Sequence, residues 1–255
     1  MGCGTSKKER EESKQAGGHA GTLIFEGDRM LKKSKQGEID FFKWLHSSEQ
    51  SANEASQLRQ FAPHYYGTEG REGHTYVVLE NLLHKYSNAN FMDCKLGKVT
   101  WTPHHSEENV KMQQEKNKTT TTGSLGFRIS GLVVKDNKGK KVESWAKEEG
   151  YFNINSDNVH EQFTKIVTKD GKVQLNVVND FITKTQSLLE WFRNQKLKHF
   201  VASSVFYVAG KDGSNQVRYI DFAHALDANG ELDTNVIEGL ENVISIWEKV
   251  REHNS

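Results

Sequence analysis

Two short segments carry the reactive side chains of this chain: Asn90-Phe91-Met92-Asp93-Cys94-Lys95-Leu96-Gly97 and, far downstream, Ile220-Asp221-Phe222-Ala223-His224-Ala225. Each places a carboxylate at the end of an expected strand, and the first adds a lysine two residues on. Alternate side chains of an extended chain share a face, so Asp93 and Lys95 are expected to project into one cleft. That set suits phosphoryl transfer. One carboxylate orients or deprotonates an attacking hydroxyl, the lysine neutralises phosphate charge, and the second carboxylate holds the magnesium of a nucleotide.

The elements that must position these groups follow from periodicity and turn chemistry. Thr22 to Phe25 and Arg29 to Lys32 read as strands around Glu26-Gly27-Asp28, a hairpin signal. Gln36 to His46 carries Ile39, Phe42 and Leu45 near helical spacing, and Tyr76 to Leu79 reads as a further strand, which completes a small amino-terminal lobe. Ser106 caps a helix expected to run to about Lys118, with Glu107 and Glu108 in its first turn, where the dipole favours them. Lys111, Glu115 and Lys118 share a face of it. Gly126 to Val134, Val205 to Val208 and Val217 to Ile220 are apolar enough for buried strands, and Asp136 to Gly139 reads as a hairpin turn. Phe181, Leu188, Leu189 and Phe192 mark one amphipathic helix; Val236, Leu240, Val243, Ile244 and Trp247 mark the last. Such stripes are packing rather than a ligand box. Residues 147–172 are polar and weakly periodic and are expected to be loop-rich.

With 255 residues, 35% hydrophobic and 27% charged, the chain is long enough for one good core or two small lobes. No apolar run approaches the roughly 20 residues that span a bilayer, and no signal peptide is visible, so a cytoplasmic protein is expected. Cys3 and Cys94 suggest no disulfide framework, and both are expected as thiols. Lys plus Arg equals Asp plus Glu at 34 each, which recommends no nucleic-acid partner. Between Lys95 and Lys141, however, ten basic residues face four acidic ones. A local positive field of that kind suits a small, heavily phosphorylated ligand; a solvated lysine-rich surface is the alternative. At the amino terminus, Met1-Gly2-Cys3-Gly4-Thr5-Ser6 fits N-myristoylation of Gly2, and Cys3 is placed for palmitoylation, which together would give peripheral membrane association. The alternative is a polar disordered tail.

The segment Met92-Asp93-Cys94-Lys95-Leu96-Gly97 resembles the Asp-x-Lys-x-Gly signature of the inositol polyphosphate kinases. Further matches run in family order. Gln15-Ala16-Gly17-Gly18-His19 is similar to the opening of the inositol hexakisphosphate kinases, Met30-Leu31-Lys32 to the nucleotide-lysine strand, and Glu38 to Phe42 to the helix after it. Phe61 to Gly67, Thr121 to Arg128, Ala202 to Phe206 and Ile220 to His224 also have counterparts. The family usually has a proline where this chain has Ala89, and leucines where it has Val205 and Phe206. An ordinary protein kinase is disfavoured: there is no His-Arg-Asp loop and no Gly-x-Gly-x-x-Gly, and Asp221-Phe222-Ala223 departs from Asp-Phe-Gly.

The resemblance implies an α+β, two-lobed protein-kinase-like and ATP-grasp-like fold, with antiparallel sheets and flanking helices. It divides the chain into a tail (1–14), a nucleotide-binding lobe (15–82) and a second lobe (83–255) containing a short inositol phosphate-binding segment (about 98–124). It implies ATP and Mg²⁺ as cofactors, an inositol phosphate as the small-molecule partner, and a monomer.

It also implies roles. Lys32 contacts nucleotide phosphates and is held by Glu38. Glu80 and Leu82 lie in the hinge that meets adenine, Ser203 is a further nucleotide contact, and Asp221 binds Mg²⁺. Asp93 orients or deprotonates the acceptor, and Lys95 contacts phosphates of both ligands. Lys98, Lys111, Lys118, Arg128 and His224 are substrate candidates. Arg128 sits between Phe127 and Ile129 in an apolar strand, where a charge is costly without a partner and a guanidinium suits phosphate. The alternatives are a satisfied core histidine for His224, a solvated helix face for Lys111 and Lys118, and backbone hydrogen bonding for Ser203. His104 and His105 lack further ligands at metal spacing and read as loop residues.

About 28 residues separate Gly97 from Leu125. The resemblance implies a much longer insertion there in the inositol trisphosphate 3-kinases, so the short connection favours the hexakisphosphate kinases or multikinases. Gly17-Gly18-His19 and Leu125-Gly126-Phe127-Arg128 lean towards the first, with diphosphoinositol pentakisphosphate as product. A multikinase acting on a lower inositol phosphate, a trisphosphate 3-kinase and a catalytically silent inositol phosphate sensor are the alternatives. The sensor would require loss of Lys32, Asp93, Lys95 or Asp221, and all four are present.

Overall fold

The computed structural model describes residues 22–47, 54–86, 88–146 and 152–255. The expectations placed on Gly2, Cys3 and Gln15 to His19 lie outside them. The chain begins with a hairpin of β1 (Leu23–Glu26) and β2 (Arg29–Lys33), closed by Gly27, whose φ of 62° lies in the left-handed region open to glycine. Then come α1 (Gln36–Leu45), α2 (Glu54–Leu58), β3 (Tyr65–Arg71) and β4 (His74–Glu80). Together the strands form an antiparallel sheet in the order β1-β2-β4-β3.

The second part contains β5 (Asn90–Leu96), α3 (Glu107–Thr119), α4 (Thr121–Leu125), β6 (Phe127–Lys135), β7 (Lys141–Ala146), α5 (Val159–Val167) and the short pair β8 (Thr168–Lys169) and β9 (Lys172–Val173). It continues through α6 (Leu175–Asn194), β10 (Lys198–Phe200), β11 (Ser204–Ala209), β12 (Asn215–Ile220), β13 (Ala225–Asp227) and α7 (Thr234–His253). Its main sheet is antiparallel, ordered β12-β11-β5-β6-β7.

That sheet divides its two faces between packing and chemistry. Met92, Cys94 and Leu96 of β5 join Val205, Tyr207 and Ile129 in the principal core, together with apolar residues of α5, α6 and α7. The alternate residue Phe91 packs with Leu82, Val133, Phe206 and Val208 in a smaller cluster on the other face, and Asp93 and Lys95 share its parity. A bulge in β6 between the partners of Asp93 and Cys94 inserts one residue, so Val133 opposes Phe91 while Arg128, five residues earlier, opposes Lys95. Without the extra residue Arg128 would fall on the core face.

Aromatic packing clamps the first part onto the second. Phe41 of α1 stacks on Phe222 at 4.4 Å between centroids and meets Phe200 edge-on at 5.6 Å, while Phe42 meets Phe222 edge-on at 5.4 Å. Each such ring, fully buried, contributes about 1.5–3 kcal/mol. One apolar core therefore runs through both sheets: a boundary at Leu82 separates the sheets but not the packing.

Residues 147–172 are not loop-rich where described. Val159, Phe163, Ile166 and Val167 are buried on α5, with Phe163 against Trp247 at 4.7 Å. Their helical spacing is diluted by polar neighbours, and α7 supplies the surface that makes a helix worthwhile. The strand β3 is also absent from the sequence reading. Two glycines and mostly solvent-facing side chains hide it, and its pairing with β4 makes it an edge strand. No helix among the described residues is long and apolar enough to cross a membrane.

Candidate active site

Lys32 occupies the cleft side of β2. Its Nζ donates to Glu38 Oε1 at 2.7 Å and to Asp221 Oδ1 at 2.6 Å. Glu38, in the first turn of α1, is itself fixed: Ser34 Oγ donates to its Oε2 at 2.9 Å, and the backbone N–H of Phe222 to its Oε1 at 3.3 Å. Burial opposes the lysine charge, but Asp221 and Glu38 outweigh it and hold the ammonium above its ordinary range. Asp221 has φ 68°, a left-handed backbone uncommon outside glycine and tolerated by Asp. Burial alone would raise its carboxyl; Lys32 and Lys95 bring it below the usual carboxylate range. Helix α1 comes close to this turn, and a Cβ on Gly37 would lie 2.6 Å from the carbonyl oxygen of Ala223. Glycine is what lets Glu38 reach Lys32.

Asp93 and Lys95 enter from β5, as their shared parity requires. Asp93 is buried, and its Oδ1 has no hydrogen-bond partner among the described residues. Burial first, and then the like charge of Asp221, raise its carboxyl, with Lys95 and the nearby Ser204 and Ser130 hydroxyls opposing. Lys95 Nζ donates to the carbonyl of Ala202 at 2.8 Å, a residue held at φ 58°. Burial lowers the Lys95 ammonium, against the pull of Asp221 and Asp93. Across the sheet, Arg128, Lys95, Ser204 and Ile220 stand in one register row, and Asp221 follows directly. Arg128 is buried, and its Nη1 donates to Thr122 Oγ1 at 3.0 Å.

Between the two sheets lies a slot lined by Leu23, Met30, Leu79, Leu82, Phe206 and Ile220, ending at Lys32, Glu38, Asp93 and Asp221. An apolar slot closed by charged groups suits a flat base followed by phosphates. Asn81 shapes its hinge side: its N–H donates to Asp28 O at 2.8 Å and its Nδ2 to Gly27 O at 2.7 Å. The apolar walls were not singled out from the sequence, because each is an ordinary strand residue until the sheets face each other.

Other expected site residues fall differently. Leu82 lines the slot, but Glu80 faces a separate depression behind the hinge with Lys85, Lys184 and Arg218. Ser203 is turned into the core, where its Oγ accepts from Tyr219 Oη at 2.5 Å. Backbone pairing leaves that hydroxyl beneath the sheet. Lys98 is paired with Glu238 of α7, and Lys118 with Glu115 at 2.7 Å on its own helix. Lys111 is exposed on α3, a helix with no buried residue, so its ammonium faces solvent. His224 is half-buried; burial first, then His105, Lys35 and Lys95, lower its imidazole.

An apolar slot between two antiparallel sheets, a lysine bracketed by two carboxylates and a second Asp/Lys pair with Arg128 opposite its lysine together define a two-lobed phosphotransferase. Comparison with known proteins narrows the class. The family model described as inositol polyphosphate kinase matches residues 76–248. Inositol polyphosphate multikinase alpha of Arabidopsis thaliana is 31% identical over 262 residues, covering 91% of each chain. Among solved structures, an inositol phosphate multikinase matches with a TM-score of 0.70 and 32% identity over 82% of this chain and 97% of that one. The multikinase of S. cerevisiae, solved with ADP and Mn²⁺, shares the fold with a TM-score of 0.75 at 23% identity over 88% of this chain and 99% of that one. The chain belongs to the inositol polyphosphate kinase family, with its α+β fold of antiparallel sheets and flanking helices. These relatives are multikinases, which moves the weight from the hexakisphosphate branch expected from the sequence to its multikinase alternative.

Proposed function

We propose that this protein is an ATP-dependent inositol polyphosphate multikinase, transferring the γ-phosphoryl group of ATP to a free hydroxyl of a lower inositol phosphate. The observation that carries this reading is the meeting of Lys32, Glu38, Asp93 and Asp221 at the end of one apolar slot, with Lys95 under the pull of both aspartates. The names of the relatives favour the multikinase branch.

Leu23, Met30, Leu82 and Ile220 would hold the adenine, and Lys32 would meet the phosphates. Asp93 receives the proton of the attacking hydroxyl. A carboxylate whose burial raises its proton affinity is a stronger base, and a hydroxyl acceptor needs one where a phosphate acceptor does not. Lys95 neutralises charge on the group in transit, and Arg128 and His224 hold phosphates of the acceptor. The chemistry of Asp221 fits a hard divalent cation: its carboxyl is held below the usual carboxylate range and so stays ionised. Asp221 would hold the magnesium, which would supply neutralisation of the nucleotide phosphate charge.

The test is incubation with Mg²⁺-ATP and, separately, inositol 1,4,5-trisphosphate and inositol hexakisphosphate, with products resolved by strong-anion-exchange chromatography. Phosphorylation of the trisphosphate supports the proposal. A more highly charged product from the hexakisphosphate alone is a diphosphoinositol and moves the protein to the other branch; binding without turnover makes it a sensor.

A further inference from the structure

His105 lies in the loop before α3, outside every group assigned above. Its ring centroid is 5.2 Å from that of His224. The backbone N–H of Thr102 donates to His105 Nδ1 at 3.0 Å, and Thr102 Oγ1 lies 2.9 Å from the same nitrogen. A backbone N–H can only donate, so Nδ1 is an acceptor, and the ring proton belongs to Nε2. Nδ1 is therefore occupied by Thr102, and Nε2 carries the N–H that this ring can offer. Thr102 is buried and supplies a firm seat for it.

Around the pair the field is positive. His224 is faced by His105, by Lys35 from the turn before α1 and by Lys95 from β5, with Glu38 of α1 the opposing carboxylate among them. Two imidazoles at this separation, beside Lys95, present N–H donors within reach of the oxygens of one phosphate group.

We infer that His105 is an additional phosphate-binding residue of the acceptor site, holding with His224 a single phosphate of the inositol substrate. This rests on the kinase reading above and deepens it. His105 acts as an N–H donor whose orientation is set by Thr102, and it selects acceptors that carry a phosphate at that position.

The decisive comparison is wild type against His105→Phe, which keeps a ring but removes the donor, and His105→Gln, which restores an N–H. Loss of a hydrogen bond to a charged group raises KM by on the order of tenfold to a hundredfold. His105→Phe is expected to raise KM for inositol 1,4,5-trisphosphate by that amount and leave KM for ATP unchanged, with His105→Gln recovering part of the loss. Calorimetric binding of the trisphosphate without ATP should weaken in parallel. In the intact wild-type protein, nitrogen-detected NMR should find Nε2 protonated and shifted on adding the trisphosphate. An unshifted Nε2, unchanged acceptor affinity in His105→Phe, or equal weakening for acceptor and ATP would overturn the inference. If wild type turns over no acceptor, the kinase reading fails, while calorimetry and NMR still decide whether His105 binds phosphate.

Discussion

Lys32 and Asp221, 189 positions apart, are joined by a 2.6 Å ion pair that spans the two sheets at the end of the nucleotide slot. The pair brings together at one point a charge-neutralising lysine and the carboxylate proposed to hold the metal. Its third member, Glu38, is almost fully buried, so the lysine keeps a partner if Asp221 turns to a cation.

Asp221→Asn should therefore leave the fold intact by circular dichroism and lower turnover at least about a hundredfold. Near-normal turnover at saturating Mg²⁺ would remove Asp221 from the metal role. The folded carboxyl is held below its ordinary value of 3.8, so its contribution to stability is present above that value and lost as pH falls through and below it. The stability difference between wild type and Asp221→Asn should shrink on acidification below about pH 4, measured by denaturant unfolding.

Asp93 runs in the opposite direction. Burial and Asp221 raise its carboxyl, so its ionised form costs stability at neutral pH. Asp93→Asn should abolish most turnover and raise the melting temperature at pH 7. The gain should vanish as pH falls and the wild-type carboxyl becomes protonated. A variant less stable than wild type at pH 7 would contradict this account.

Gly37→Ala tests the close approach of α1 to the Asp221 turn. The added Cβ would lie 2.6 Å from Ala223 O, so α1 must move, and Glu38 with it. Overpacking of this kind costs about 1–3 kcal/mol. Turnover should fall with a raised KM for ATP; unchanged kinetics would show that Glu38 holds Lys32 independently of this contact.

Arg128→Ala should weaken inositol phosphate binding by about tenfold to a hundredfold, more than it weakens ATP binding, because a guanidinium bonds phosphate through charge-assisted donors. Equal losses for the two ligands in calorimetry would place Arg128 in a purely structural role opposite Lys95.

The lysine, the two aspartates and the strands bearing them could be read directly, because side-chain type and a period of two are local properties. Ser106 was legible as a helix cap for the same reason, and its Oγ accepts from the Asn109 N–H at 3.3 Å. Ser203 could not be resolved. Its hydroxyl faces Tyr219 instead of a nucleotide because β11 and β12 pair in a register that no short segment reveals. Glu80 and His105 show the same limit in opposite directions. One is a hinge residue whose side chain lies behind the slot, the other a loop residue brought against His224 by a turn at Thr102.

By itself, the amino-acid sequence determined the reactive groups, most of the elements that carry them and, through ordered motifs, the family. Those are matters of composition and near-neighbour spacing. The tertiary structure alone decided that a bulge turns Arg128 to the side of Lys95, that α1 approaches closely enough to place Glu38 on Lys32, and that two sheets close an apolar slot over the carboxylates. These depend on registers and packing between residues far apart in the chain, where the energy of one contact exists only once all the others are made.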